Sequence, residues 1–294
     1  MMRHLILVAS AAIAVATPAA SMAGMLYALG SNGTIYSVSA GGSVSPVASG
    51  SGFAMAMNGA GNFYVENAAG GKLEQITPGG VTSTYATDNT GGLIHGVQSL
   101  AFNAAGNLYD TNPSNGTIGV VAPGGGVIGQ FASGLNYPYY LAVNAAGSVY
   151  ATSSNADLIY KIAPGGTVSS FAPALGAPGI GGFTIDRAGN LYYVTNNDTI
   201  GKITPDGVTT TVITDPTFAF GALAIDDAGD IFASTQYHSI VEVTPDGNDS
   251  TFATFPAGIT AIVAAPVPEP ATVALFGAMA GCLLLRRPRE RASR

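Results

Sequence analysis

Three features of the sequence predict an all-β protein made of repeated four-stranded units. Only 9% of the 294 residues are charged and 40 are glycine, a composition typical of short strands joined by tight turns. A segment of the pattern hydrophobic–x–hydrophobic–Asn/Asp–x–x–Gly occurs five times, with its glycines 40 to 45 residues apart. A Pro-Gly-Gly or Pro-Asp-Gly segment follows in each unit, starting at positions 78, 123, 164, 205 and 245. Four antiparallel strands at this period are typical of a β-propeller blade.

Each unit is expected to run strand, Asn/Asp-x-x-Gly turn, strand, polar loop, strand, Pro-Gly turn, strand. The Asn or Asp caps its turn through its own side chain, and the glycine adopts the positive φ that the turn needs. Residues 25–48 supply three strands that lack a first strand, and residues 258–264 supply one strand after the last unit. Pairing of the two ends completes a sixth blade and removes exposed sheet edges. The sequence therefore predicts a six-bladed β-propeller with four-stranded blades over residues 24–266.

Residues 1–23 have the pattern of a secretory signal peptide. A basic start at Arg3 is followed by a short apolar core, and Ser21-Met22-Ala23 is a small-x-small cleavage site. The alternative is a buried N-terminal helix, but the apolar run is too short to span a membrane and ends in a processing pattern. We therefore expect the protein to be exported.

The C-terminal segment, residues 267–294, combines three elements in a fixed order. Pro268-Glu269-Pro270 precede an apolar stretch and then an arginine-rich end, and the prolines delay the start of a helix. The segment resembles the PEP-CTERM sorting signal of Gram-negative bacteria, which an exosortase recognises during export. That resemblance implies an exosortase-type sorting enzyme as partner, transient membrane insertion through the C-terminal helix, and a cell-surface or extracellular location. The alternative is an ordinary membrane anchor, which would also keep the body outside the cytoplasm.

The body between the two terminal segments is strongly acidic. Positions 24–266 contain four basic residues and fifteen carboxylates, a net charge of −11. Such a charge repels phosphate backbones, so we expect no binding of nucleic acid. The single cysteine, Cys282, lies in the apolar tail, which excludes a disulfide within the chain and a metal site built from cysteines.

The repeat resembles the blades of NHL-type and virginiamycin-lyase-like propellers, which carry a hydrophobic–Asp–x–x–Gly–Asn–hydrophobic–Tyr/Trp signature. The best match within this chain runs from Phe183 to Val194. Propellers of these kinds include lyases, lactonases and binding platforms, so the resemblance implies the structure of the blade and leaves the activity open.

Loops before the first strands and loops between second and third strands are expected to share one face of the disc. Lactonases with six blades hold a metal ion near the start of the first strands, where this chain has no carboxylate. Hard cations need several oxygen ligands, so we expect neither a metal nor another cofactor. His95 and His238 lie in loops on this face and are the candidates for a general base, although no neighbouring carboxylate that would orient either is evident.

Aromatic side chains are also concentrated on this face, where they suit stacking against sugar rings or a protein partner. Simple packing at the channel mouth is the alternative. The predicted binding residues are Gln98, Tyr139, Tyr140, Phe220 and Tyr237.

The main hypothesis is a non-enzymatic binding or structural module at the cell surface or in the extracellular matrix, with a polysaccharide or a protein as its partner. The alternative is a lyase or hydrolase that uses His95 or His238 on polysaccharide or an exported small molecule. A distance of about 8 Å between the two histidines, with a carboxylate beside one, would favour the enzyme. The last strand should run from this face to the opposite one, so the tail should leave from the far side.

Overall fold

The computed structural model describes residues 26–67, 71–88, 96–155, 158–172, 180–195 and 198–265. Within these ranges the chain forms 25 strands, which are arranged in six sheets. The predicted signal peptide, His95 and the predicted sorting motif Pro268-Glu269-Pro270 lie outside the described residues. No helix in the described part of the chain is long and apolar enough to cross a membrane.

Each sheet is one blade, and the blades are numbered 1 to 6 in chain order. Blade 1 contains β1 (Leu26–Gly30), β2 (Thr34–Val38), β3 (Val44–Ser49) and β25 (Ile259–Ala264). Blade 2 contains β4 (Met55–Met57), β5 (Phe63–Asn67), β6 (Lys72–Ile76) and β7 (Thr82–Thr87). Blade 3 contains β8 (Leu100–Phe102), β9 (Leu108–Asn112), β10 (Thr117–Val121) and β12 (Gly129–Ser133).

The remaining blades repeat the pattern. Blade 4 contains β13 (Pro138–Val143), β14 (Val149–Ser153), β15 (Leu158–Ile162) and β16 (Val168–Ala172). Blade 5 contains β17 (Phe183–Ile185), β18 (Leu191–Val194), β19 (Thr199–Ile203) and β20 (Thr209–Thr214). Blade 6 contains β21 (Phe220–Ile225), β22 (Ile231–Thr235), β23 (Ser239–Val243) and β24 (Asp249–Thr254).

The two ends of the array pair with each other, which confirms the predicted closure. β25 is antiparallel to β1, with Leu26 opposite Ala264 and Leu29 opposite Ala261. Blade 1 therefore has the strand order β25-β1-β2-β3, and its innermost strand comes from the far end of the body. The predicted six-bladed propeller with four-stranded blades is confirmed.

One pairing between neighbouring blades was not predicted. The short strand β11 (Gly126–Val127) runs parallel to β7, with Gly126 opposite Ala86. It extends the sheet of blade 2 to five strands although it belongs to the chain of blade 3. Gly124, Gly125 and Gly126 all have positive φ, a conformation that side chains disfavour, and this allows the chain to reach across.

The turns between first and second strands form as predicted. Asn58 Oδ1 accepts from the backbone N–H groups of Ala60 and Asn62, and Gly61 has a φ of 80°. Asp186 acts in the same way, accepting from Asn190 N and also from the hydroxyl of Tyr192. The carboxylate of Asp186 is thus a turn cap, and the tyrosine of the repeat is its hydrogen-bond partner.

The hydrophobic core lies between the blades, in six clusters that correspond to the six blade interfaces. Leu73, Ile159 and Leu191 are among the wholly buried side chains. An edge-to-face pair of aromatic rings joins second and fourth strands in several blades, with centroids 4.7 Å apart for Tyr64–Tyr85 and 5.0 Å for Tyr150–Phe171. Such pairs add about 0.5–1.5 kcal/mol beyond their buried area.

The two faces of the disc are distinct. On the upper face, loops between second and third strands contact the starts of first strands, as in the hydrogen bond from Ser31 N to Gly258 O. On the lower face, the turn glycines approach the prolines of the Pro-Gly turns, so that a Cβ on Gly106 would lie 3.5 Å from Pro123. β25 begins on the upper face, and its last residues reach the lower face beside Leu26.

Candidate functional site at the upper mouth of the channel

The first strands of all six blades surround a central channel with a volume of about 310 Å³. This is at the lower end of the range usual for small-molecule sites. The channel is lined by backbone atoms, by small and apolar side chains and by a few polar side chains. None of the described lining residues is charged. The lining comprises residues 53–57, 98–102, 140–143, 182–185, 222–225 and 260–264.

Hydroxyl groups fix the start of several first strands at the upper mouth. The ladder is irregular there in blades 4 and 6, and a side chain from the second strand takes the place of a backbone acceptor. Thr152 Oγ1 accepts from Tyr140 N at 3.0 Å, and Ser234 Oγ accepts from Ala222 N at 2.8 Å. Thr111 Oγ1 accepts from Ser99 N and donates to Tyr139 O. The mouth is therefore held by second-strand hydroxyls and is a preorganised surface.

Three tyrosines of blade 4 form a continuous aromatic surface beside the mouth. The rings of Tyr137 and Tyr139 are stacked, with centroids 6.5 Å apart and an interplanar angle of 19°. Tyr140 meets Tyr139 edge to face at 4.9 Å and lines the channel. Burial raises the pKa of Tyr140 to about 12, so its side chain is an uncharged phenol near neutral pH.

Tyr137 has an unusual backbone conformation. Its φ of 50° lies in the left-handed region, and its side chain is 42% exposed. A bulky residue with positive φ is uncommon and is often strained. Its carbonyl accepts from Ser154 N, and Asn136 N donates to the hydroxyl of Tyr160. These contacts hold the Tyr137 ring parallel to that of Tyr139.

Gln98 and Phe53 occupy the position equivalent to Tyr139 in blades 3 and 2. Both line the channel, and Gln98 Nε2 donates to Gly96 O at 3.1 Å. Phe53 is 57% exposed and was not among the predicted binding residues. Its alignment with Gln98 and Tyr139 in the repeat is the sequence signal that identifies it.

The predicted residues of blade 6 are in different environments. Phe220 is only 7% exposed and packs in the cluster between blades 5 and 6, with the ring of Phe218 at 5.7 Å. Tyr237 is 64% exposed, and its backbone N–H donates to Thr235 Oγ1. The aromatic surface of blade 6 is therefore supplied by Tyr237, while Phe220 stabilises a blade interface.

His238 is exposed and has a φ of 56°. It occupies the turn position that Gly33, Gly71 and Gly116 hold in other blades. Its imidazole lies against Gly258, where an added Cβ would be 3.8 Å from Nε2. Because His95 lies outside the described residues, the distance between the two histidines does not decide between binding and catalysis. Across the described ranges, no group of three or more His, Cys, Asp or Glu side chains is arranged to hold a metal ion.

Comparisons with known proteins identify structural neighbours. No protein-family model and no curated protein sequence matches the chain. A catalytically inactive virginiamycin B lyase from Staphylococcus aureus, with quinupristin, is similar with a TM-score of 0.59 and 19% identity, covering 75% of this chain and 77% of that one. A streptogramin B lyase structure has a TM-score of 0.61 and 17% identity, covering 79% and 80%. A chain from the nidogen/laminin complex has a TM-score of 0.69 and 14% identity, covering 81% and 97%.

These likenesses concern the fold. All three identities are below the level at which a shared activity follows from structural similarity, and one fold carries many functions. The resemblance of the body to virginiamycin-lyase-like propellers is confirmed for the architecture.

Proposed function

We propose that this protein is an exported, surface-sorted β-propeller that binds an uncharged carbohydrate at the upper mouth of its channel without transforming it. The observation that carries the proposal is the stacked pair Tyr137–Tyr139 beside a mouth lined by uncharged side chains. Aromatic faces bordered by amide and hydroxyl groups suit the apolar faces and hydroxyls of sugar rings. Gln98 supplies the amide, and Tyr140 supplies a phenol that stays neutral.

The charge of the body supports an uncharged ligand. With a net charge of −11 over positions 24–266, the propeller repels acidic polysaccharides at long range. Its four basic residues, Lys72, Lys161, Arg187 and Lys202, are not among the residues that line the channel. A neutral glycan avoids this repulsion.

The proposed location rests on the two terminal segments. The N-terminal pattern supports export, and Pro268-Glu269-Pro270 with the following apolar and arginine-rich stretches supports processing by an exosortase-type enzyme. β25 runs toward the lower face, and the tail follows it in sequence. A protein held by this tail would present its upper mouth away from the membrane.

The binding proposal is tested with the purified full-length protein and neutral hexose oligosaccharides. Because the chain has 13 tyrosines and no tryptophan, tyrosine fluorescence together with calorimetry reports binding. We expect Tyr139→Ala to weaken binding by about tenfold, since an aromatic contact contributes about 0.5–1.5 kcal/mol beyond its area and 1.4 kcal/mol is tenfold in affinity.

Val208→Ala is the matched control, because Val208 is an exposed apolar side chain that follows a Pro-Gly turn on the lower face. Equal affinities for Tyr139→Ala and the unmodified protein would refute the proposed site. Binding of acidic but not neutral oligosaccharides would refute the proposed ligand class.

The sorting proposal is tested by mass spectrometry of the protein from the envelope and medium of its host. Loss of residues 1–23 and truncation near Pro268–Pro270 are the expected results. An intact C-terminus in the inner membrane would refute sorting and would favour the ordinary anchor.

A second candidate function is a lyase acting on the upper face. The observation that favours it is His238, an exposed imidazole in a loop of the upper face where blades 1 to 3 have glycine, in a fold similar to streptogramin B lyases. Incubation with quinupristin, followed by mass spectrometry, tests it directly. Product formation that is lost in His238→Ala would establish catalysis, and an unchanged substrate would leave the binding function.

A further inference from the structure

The interface between blades 2 and 3 differs from the other five at two facing positions. In each blade, the fourth residue of the second strand faces the next blade, and the third residue faces the preceding one. Elsewhere these positions hold apolar or hydroxyl side chains, as in the pair Leu29–Val65 between blades 1 and 2 and the pair Val194–Ala233 between blades 5 and 6. Between blades 2 and 3 they are Glu66 and Asp110, and both are wholly buried.

Asp110 has no hydrogen-bond partner for either carboxylate oxygen among the described residues. Its side chain lies over Gly119, the residue opposite it on β10, where a Cβ would overlap Asp110 Oδ1. The glycine therefore makes the space that the carboxylate fills. Thr117 lies two residues before Gly119, on the same face of the strand, and is buried. Its Oγ1 also has no hydrogen-bond partner among the described residues. Asp110 and Thr117 are thus two buried residues of blade 3 whose side-chain oxygens bond to no other residue among those described.

Glu66 brings a second carboxylate to the same interface. Its Oε1 accepts from Gly96 N at 3.1 Å. The pKa of Asp110 is raised mainly by burial, and the charges of Glu66 and Asp88 raise it further. The ion pairs in the described part of the chain, Lys72–Glu74 and Arg187–Asp227, do not involve Asp110. A buried carboxylate such as that of Asp110 is strongly destabilising unless a cation or hydrogen bonds compensate its charge.

We infer that Asp110, Glu66 and Thr117 form a binding site for a hard divalent cation, of which calcium fits best, between blades 2 and 3. The donors are carboxylate and hydroxyl oxygens, which hard cations prefer. A divalent ion balances the two carboxylates, and backbone or water oxygens complete the flexible coordination shell that calcium accepts. This site is built on second strands and on the third strand β10, away from the first-strand positions that line the channel.

The site would also affect the mouth of the channel. Glu66 holds Gly96 N, and Gly96 O accepts from the amide of Gln98, which lines the channel. Cation binding would therefore fix the segment that positions Gln98, and would join the two blades.

The test uses purified full-length protein freed of metal by a chelator, with calcium chloride as the probe. Calorimetry measures binding, and thermal unfolding measures the midpoint with and without calcium. We expect one bound calcium per chain and a rise in the midpoint of several degrees, because a ligand that binds only the native state stabilises it. In Asp110→Asn, binding should weaken by at least 100-fold and the rise should disappear.

Two further variants make the outcome decisive. Asp249→Asn removes one exposed carboxylate and should bind calcium like the unmodified protein. Glu66→Gln should lose binding while retaining the far-UV circular dichroism of a folded propeller, which covers the case in which Asp110→Asn folds poorly. Absence of calcium binding to the unmodified protein, or full binding to Asp110→Asn, overturns the proposal. If the unmodified protein ignores calcium and metal-free Asp110→Asn is more stable, the buried carboxylate is a cost to the fold that no cation offsets, and the proposal is overturned.

Discussion

The burial of Asp110 leads to a prediction about stability as a function of pH. In metal-free buffer, its pKa rises from 3.8 in the unfolded chain to about 7 in the folded protein, because burial disfavours the charged form and Glu66 and Asp88 repel it. A raised acid pKa means that the stability it contributes is fully present below about pH 4 and is lost as the pH rises through 7. Three pKa units correspond to about 4 kcal/mol at 1.36 kcal/mol per unit.

Asp110→Asn tests this reasoning because asparagine has the shape of the protonated acid and does not titrate. We expect the two proteins to have similar free energies of unfolding at pH 4, and the variant to be more stable by up to about 4 kcal/mol at pH 8. Urea denaturation followed by circular dichroism, with the protein freed of metal, measures both values. The titrating groups that do not interact with Asp110 are common to the two proteins, so their contributions cancel, and the measured difference includes the coupling of Asp110 to Glu66 and Asp88. A difference that stays the same from pH 4 to pH 8 would refute the reasoning.

Three other substitutions test the packing. Gly119→Ala would place a Cβ on Asp110 Oδ1 and close to Ile128, and should lower the free energy of unfolding by about 2 kcal/mol or more. Gly129→Ala is the control and should change it little, because the nearest atom to the added Cβ is 3.8 Å away. Urea denaturation measures both variants. Asp186→Ala removes the acceptor for Asn190 N and Tyr192 and should cost about 1–2 kcal/mol by the same measurement, with the exposed Asp249→Ala as control. Ile262→Ala leaves a cavity where β25 closes the ring and should lower stability by about 2–5 kcal/mol; a loss below 1 kcal/mol would show that closure contributes little.

The architecture could be predicted because each blade repeats the same turn and strand pattern. Asn58 and Asp186 cap equivalent turns through side-chain oxygens, and such turns are local enough to be recognised in the sequence. The closing strand was predictable because the array begins with a second strand and ends with a first one. Pairing those two strands gives β1 a partner on both sides and gives blade 1 the same four strands as the other blades.

The arrangement of the candidate site could not be predicted to the same extent, since it depends on side-chain directions. Phe220 aligns with Pro138, one residue before the position of Tyr139. Both Phe220 and Pro138 are buried, whereas Tyr139 stacks on Tyr137. The alternation of side chains along a strand places neighbouring residues on opposite faces, and the pairing at the start of β13 and β21 is irregular in both blades. At these irregular starts the hydroxyls of Thr152 and Ser234 accept from backbone N–H groups of the first strand, contacts that the sequence pattern does not reveal.

Departures from the repeat are the most informative positions of this chain. Each blade can be compared with the other five, because equivalent positions in the six blades have similar packing and should accept the same residue types. Glu66 and Asp110 replace apolar or hydroxyl residues at facing buried positions. At the left-handed turn position of the repeat, blades 1 to 3 have glycine, whereas blade 5 has Asp198 and blade 6 has His238. The two buried carboxylates cost stability that the other five interfaces do not lose, because those interfaces hold no carboxylate at these positions. The pair is therefore confined to one of six equivalent interfaces, which is why the proposed cation site is assigned to it and not to a general need of the fold.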